Sequence, residues 1–180
     1  LSQFSGLRLL DIQLPDSYST SYPGPQFGID GTRKLTDVYS RPIIGTIIKP
    51  SVGLTPQQTA EQTKTLVDAG LDFLKDDELL GDAPHSPFVK RVDAVMNVIN
   101  EAAERTGKKA MFAFNISGDL DDMLERHDYV HKKGGSCVMV SLNWIGISAL
   151  AKLRKHSNLP IHGHRNGWGL MSRSPHIGID

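Results

Sequence analysis

The sequence lacks most of the features that narrow a function quickly. It has one cysteine, Cys137, in 180 residues, so no internal disulfide can form and a reducing compartment is favoured. Lying in the apolar run Cys137-Val138-Met139-Val140, that thiol reads as buried core. The 20 basic and 20 acidic residues cancel, which removes the electrostatic footprint of a nucleic-acid or anionic-membrane binder and leaves anion recognition to local groups. No apolar run approaches the length of a membrane span. Leu1-Ser2-Gln3-Phe4 has neither an initiator methionine nor the basic and apolar regions of a signal peptide. The chain is therefore expected to be cytoplasmic and excised from something longer. No glycine-rich phosphate loop follows any apolar run, which counts against a nucleotide-binding open sheet.

What is present is an alternation of apolar runs and helical patterns. Residues 1–42 are punctuated by Tyr22-Pro23-Gly24-Pro25 and Arg41-Pro42 and hold one short helical pattern around Ile29 to Val38, so they read as a lead-in segment from a preceding domain. From residue 43 onward, Ile43 to Lys49 is a β-branched strand. Thr55-Pro56-Gln57-Gln58 is a capping box that starts a helix with Ala60, Thr63, Leu66 and Val67 on one stripe. A strand through Leu74 and Lys75 follows. The unit repeats with a helix carrying Phe88, Val92, Val95, Met96, Ile99 and Ala103, ended by Gly107 before the strand Ala110 to Asn115. Asp119 is positioned to cap a third helix, the run from Cys137 to Asn143 is the next strand, and a helix lined by Ile147, Leu150, Ala151 and Leu153 precedes the strand Pro160 to Arg165.

Continuous apolar strands joined by helices mean a parallel α/β sheet covered on both faces. Lys49, Lys75 with Asp77 and Glu78, Asn115, Asn143, and His164 with Arg165 all fall at the carboxyl ends of successive strands. In a (β/α)8 TIM barrel those ends converge on one mouth that supplies the catalytic groups. Residues 43–180 are therefore expected to form about the first five strands of such a barrel, with the remaining three beyond Asp180 or in another chain.

The stretch Asp72-Phe73-Leu74-Lys75-Asp76-Asp77-Glu78 runs an apolar strand into a lysine and three carboxylates. Alternation along a strand points Lys75 and Asp77 the same way. Two readings fit these residues alone: a solvated acidic turn with Lys75 as its ion-pair partner, or a site for a hard divalent cation, which takes carboxylate oxygens. In the second, Lys75 contributes only if its amine carries CO2 as a carbamate.

Together with Gly45-Thr46-Ile47-Ile48-Lys49-Pro50 and His162-Gly163-His164-Arg165, that stretch resembles, in order and spacing, the barrel of the ribulose-bisphosphate carboxylase (RuBisCO) large-chain superfamily. The resemblance extends upstream through Tyr22-Pro23-Gly24-Pro25 and Arg41-Pro42. It implies that Lys75 is carbamylated and that its carbamate, Asp77 and Glu78 bind Mg2+, with Asp76 behind them. Lys49 is implied to be the catalytic acid or base on an enediol, a role that needs its pKa lowered. His164 is implied to be catalytic beside the reacting hydroxyls, and Arg165 to grip a substrate phosphate through its bidentate fork. Asn115 is a candidate substrate ligand, with satisfaction of backbone groups as the competing reading; Asn143 is open in the same way. His162 shares a strand face with His164 and is a candidate to orient it. His85, His127, His131, His156 and His176 receive no role. The mouth is implied to be completed by a second subunit, hence a homodimer or higher homo-oligomer acting on a phosphorylated small molecule.

Three positions depart from the carboxylating pattern: Ser51 stands for a second lysine, Ile47 for a threonine and Trp168 for a histidine. The pocket loses a cation and a hydroxyl and gains an indole, while the implied metal ligands stay. The chain therefore resembles a RuBisCO-like protein, a Mg2+-dependent lyase or isomerase that forms an enediolate from a phosphorylated sugar or 3-oxo sugar acid without fixing CO2. The alternatives are a methylthio-sugar phosphate enolase or isomerase of methionine salvage, a true carboxylase, and a non-catalytic homologue.

Overall fold

The computed structural model describes residues 5–179. A short strand β1 (Leu7–Leu9) and helices α1 (Asp16–Ser19) and α2 (Gly28–Thr36) lead into β2 (Gly45–Ile47), α3 (Pro56–Asp68), β3 (Phe73–Lys75), α4 (Phe88–Thr106) and β4 (Met111–Asn115). The chain continues with α5 (Leu120–Lys132), β5 (Cys137–Ser141), α6 (Leu142–His156), β6 (Ile161–His164), α7 (Trp168–Ser172) and β7 (Ile177–Ile179). Strands β2 to β6 lie side by side in chain order, every pair parallel. This is a half-barrel of the (β/α)8 type with its helices on one face. None of the helices among the described residues is long and apolar enough to cross a membrane.

The register separates the two faces. One set of alternate residues, including Leu74, Phe112, Phe114, Ile116, Val138 and Val140, packs against Val92, Val95, Met96 and Ile99 of α4 and Met123 and Val130 of α5. Each such side chain contributes about 1.5–3 kcal/mol on burial, so the sheet-to-helix layer is the main source of stability. The other set, Phe73, Met111, Ala113, Cys137 and Met139, forms a smaller cluster on the barrel interior. Lys75, Asn115 and His164 belong to that interior set by alternation, at its carboxyl end.

Local signals act as their chemistry requires. At α3 the Thr55 and Gln58 pair closes a full capping box, and Gly107 ends α4 in the left-handed conformation at φ 73°. Other boundaries differ from the sequence reading. Asp119 precedes α5 without a side-chain capping bond. The helix stripe of α4 buries Ala102 rather than Ala103, and it also buries Arg91. Strand β5 stops at Ser141, so Asn143 lies in the first turn of α6, exposed, and donates from Nδ2 to the carbonyl of Asn166 at 2.7 Å. It ties the first turn of α6 to the loop after β6 instead of lining the strand ends. A parallel pairing of β1 with β7 joins the lead-in segment to the end of the described chain, a contact with no local sequence signature.

Candidate active site

At the carboxyl end of β3 the interior face ends on Lys75, and the chain then turns. The Lys75 ammonium, 13% exposed, donates to Glu78 Oε2 at 3.3 Å and to the carbonyl of Asp76 at 3.0 Å. From the end of β2, Lys49 pairs with Asp77 Oδ2. Asp77 is almost wholly buried, and its Oδ1 accepts the amide of Leu79 at 2.8 Å. From β6, His164 accepts the amide of Asn166 on Nδ1 at 3.0 Å, so neutral His164 carries its proton on Nε2, which faces Glu78 Oε2 at 3.8 Å. Lys49 with Asp77, and Lys75 and His164 with Glu78, thus form two sets of contacts on adjacent carboxylates, drawn from three strands.

The site's electrostatics are those of two ammoniums locked on two carboxylates. Burial pushes the Glu78 carboxyl up, but bonds from its own backbone amide and from Lys75 outweigh it and hold the group below the ordinary glutamate range. The hydrogen bond to Asp77 holds the Lys49 ammonium above the usual lysine value, against a smaller opposing effect of desolvation. This is opposite to the lowered value that a general base needs, because the nearest charged group is a carboxylate rather than a cation. Burial, reinforced by the Lys75 charge and by His164, lowers His162. Its ring lies 5.5 Å from Phe73 and 6.2 Å from His164, so it packs in the interior below the site.

The donor set fits a divalent cation once Lys75 changes sign. Two lysines now balance two carboxylates. A carbamate on Lys75 would replace a positive charge by a negative one and leave three anionic oxygen-bearing groups beside the Lys49 ammonium, a net charge of minus two that one Mg2+ cancels.

Asn115, expected to be a substrate ligand, is buried at the end of β4 and spends its amide on the loop. Its Nδ2 donates to the carbonyls of Asp77 at 3.2 Å and Glu78 at 3.0 Å, and its Oδ1 accepts the amide of Ser117 at 3.1 Å. It holds the backbone that presents the two carboxylates. Arg165 is exposed, with its guanidinium 5.5 Å from the centre of the Trp168 ring, and stands apart from the lysine and carboxylate cluster.

The resemblance puts Asp76 behind the implied ligands, and the structure adds the partner that sequence reasoning missed, Arg91. Asp76 turns to the opposite face, where Arg91 Nε lies 3.3 Å from its Oδ2 with both side chains fully buried. The amide of Asn115 donates to the same oxygen at 3.0 Å. Burial raises the Asp76 carboxyl above the ordinary range in spite of Arg91. Arg91 also donates to the carbonyls of Ser86 at 2.7 Å and Gly81 at 2.8 Å, and so braces the whole loop after Glu78. The signal available in the sequence was an arginine three residues after Phe88 on the apolar stripe of α4.

With this geometry in hand, comparison with known proteins is direct. Residues 28–180 match the family described as ribulose bisphosphate carboxylase large chain, catalytic domain. The chain is 57% identical over its full length to a 3-oxo-isoapionate-4-phosphate transcarboxylase/hydrolase of Xanthobacter autotrophicus, covering 44% of that protein. It is 48% identical to a 3-oxo-isoapionate-4-phosphate decarboxylase of Rhizobium etli, over 98% of this chain and 42% of the relative. The crystal structure of a rubisco-like protein from Burkholderia fungorum superimposes with a TM-score of 0.94 at 49% identity, over 97% of this chain and 43% of the other. The chain thus spans less than half the length of the relatives it matches.

Proposed function

Because the chain belongs to the ribulose bisphosphate carboxylase large-chain family, we propose that its protein is a RuBisCO-like enzyme that forms an enediolate from a phosphorylated 3-oxo sugar acid by loss or transfer of its carboxyl group. CO2 fixation is not its reaction. The observation that carries this reading is the convergence of Lys75, Asp77 and Glu78 with Lys49 and His164 at the strand ends, in a chain whose Ser51, Ile47 and Trp168 stand where a carboxylating site has other groups. The similarity to relatives named for 3-oxo-isoapionate-4-phosphate favours sugar acids over methylthio-sugars.

A 3-oxo acid that gives up its carboxyl group leaves its electron pair on the neighbouring carbon, delocalised onto the 3-oxygen. Mg2+ held by the Lys75 carbamate, Asp77 and Glu78 would supply the positive charge that stabilises this enediolate. Lys49 then delivers a proton to the carbanionic carbon, a step for which its ammonium form, favoured by Asp77, is the right starting state. His164 presents Nε2–H toward the same centre. Arg165, free of the acidic cluster, holds the substrate phosphate at a distance from the bonds that change. A homodimer whose second subunit completes the mouth belongs to the same reading.

The test is to incubate the full-length protein with Mg2+, bicarbonate and a 3-oxo sugar-acid phosphate while following the carboxyl carbon by 13C NMR. Release or transfer of that carbon that depends on Lys75 is expected. Absence of turnover, or incorporation of labelled CO2 into phosphoglycerate from ribulose bisphosphate, would overturn the proposal.

A further inference from the structure

Four ionisable side chains gather at the far end of the sheet from the active site. Helices α5 and α6 run back from the strand carboxyl ends, so their own carboxyl ends lie beside the opposite rim of the half-barrel. There His127 and Asp128 of α5 meet His156, the last residue of α6. Asp128 Oδ1 lies 2.9 Å from His127 Nδ1 and 2.6 Å from His156 Nε2. One donor atom from each residue falls within 4.8 Å of the others. His131, one turn after His127, stacks parallel to its ring at 6.4 Å.

A second observation concerns the proton on His127, whose side chain is only 1% exposed. Its Nε2 lies 2.9 Å from Ser157 Oγ. That hydroxyl is also 2.8 Å from the carbonyl of Leu159 and accepts the amide of Leu159 at 3.0 Å. A serine has one proton to give. If Leu159 takes it, His127 must donate from Nε2, and its bare Nδ1 then faces a carboxylate oxygen at 2.9 Å, acceptor against acceptor. An imidazolium would relieve the clash, but at the cost of placing a charge on a side chain that is almost wholly buried. A cation between Nδ1 and Asp128 satisfies every group at once: His127 ligates through Nδ1, donates Nε2–H to Ser157, and Ser157 donates to Leu159. That is the arrangement in which a ligating histidine is oriented by its other nitrogen.

We propose that His127, Asp128 and His156 form a binding site for a first-row transition-metal dication of the zinc type, separate from the carbamate site. Two imidazoles and one carboxylate match the ligand preference of Zn2+ and not that of Mg2+, which takes oxygen ligands. Donors around tetrahedral zinc stand roughly 3.3 Å apart, so Asp128 and His156 must open by somewhat more than half an ångström. Both are on the surface, at 62% and 35% exposure, and free to do so. The fourth position is left to water or to His131.

The test is calorimetric titration of the purified full-length protein with Zn2+ under saturating Mg2+, which occupies the hard-ligand site, together with the visible spectrum on Co2+ loading and 15N NMR of the histidine rings. One equivalent bound, a tetrahedral Co2+ spectrum, and His127 metallated at Nδ1 with its proton on Nε2 are expected. His156→Ala and Asp128→Asn, both surface changes, should each weaken binding at least ~10-fold, and Ser157→Ala by ~10–100-fold through loss of the orienting bond. Asp77→Asn should leave binding intact. The proposal is overturned if no Zn2+ binds and His127 carries its proton on Nδ1, which would make Asp128, His127 and Ser157 a simple hydrogen-bonded tie. Binding abolished by Asp77→Asn but indifferent to His156→Ala would also overturn it.

Discussion

The Asp76 carboxylate and the Arg91 guanidinium face each other at 3.3 Å with neither side chain exposed, directly behind two residues, Lys75 and Asp77, that turn the other way toward the barrel interior. The pair costs desolvation that a well-packed apolar pair would not incur, so buried ion pairs are weak stabilisers but strong constraints. Here the constraint is useful. Arg91 reaches past Asp76 to the carbonyls of Gly81 and Ser86, so a single guanidinium fixes both ends of the loop that begins with the proposed metal ligands.

Arg91→Ala should therefore destabilise the protein by about 3–5 kcal/mol, the cost of stranding a buried charge. The shift in urea midpoint at constant m-value measures it. Arg91→Lys should recover little, because an ammonium cannot span Asp76, Gly81 and Ser86 together. Full stability in Arg91→Lys would show that charge alone suffices.

Asn115→Ala should act on the site more than on the fold. Its amide donates to the carbonyls of Asp77 and Glu78, so its loss frees the backbone that aims both carboxylates. Mg2+ affinity is expected to fall ~10–100-fold, as for other residues that orient metal ligands, and the Mg2+ dependence of turnover reads it. If Asn115 instead touches substrate, KM will rise while the Mg2+ requirement stays unchanged.

How much of this was legible in the sequence depended on the range of the interaction. Lys75, Asp77, Glu78, Lys49 and His164 could be read because strand alternation and the strand-end rule place them with no knowledge of partners. The helices were legible from their stripes and caps, as at Thr55 and Gln58. Asp76 with Arg91, separated by 15 residues, and Asp72 with Arg41, separated by 31, were not, because a charge in a sequence does not declare its partner. Asn143 was misplaced for a local reason. An apolar run continuing through Leu142 hides the point where β5 gives way to α6, and only the tertiary packing sets it.

Asp72 carries the pH prediction. It is fully buried just before β3, where Arg41 grips it with two bonds at 2.6 and 2.8 Å, the amide of Ile44 donates at 2.9 Å and Lys108 adds a second cation. The hydrogen bonds from Arg41, assisted by Ile44 and Lys108, hold its carboxyl well below the usual aspartate range against the effect of burial. A depressed folded-state pKa means that the stabilisation is fully present above the unfolded value near ~3.9 and is lost as pH falls toward the folded value. Asp72→Asn should lower stability at neutral pH by roughly 1–3 kcal/mol, allowing for the partial exposure of Arg41 and Lys108. It should also flatten the acid limb of stability against pH. An unchanged acid limb in the variant would assign that limb to other carboxylates.

The last prediction separates Lys49 from Arg165. Lys49 sits on Asp77 inside the cluster, whereas Arg165 lies outside it against Trp168, so the two should fail differently. If Lys49 moves a proton in the transition state, Lys49→Met should lower kcat by ~10²-fold or more with little change in KM. The assay must run at saturating Mg2+, because removing the ammonium also frees the buried Asp77 carboxylate and alters metal affinity. If Arg165 grips a phosphate remote from the bond changes, Arg165→Ala should chiefly raise KM, with some loss of kcat because remote binding energy also positions the reacting carbons. A substrate analogue without its phosphate should then be almost indifferent to Arg165→Ala. Equal losses on phosphorylated and dephosphorylated compounds would assign Arg165 to the fold or to the reacting centre, and the case for a phosphorylated substrate would lose its anchor in this chain.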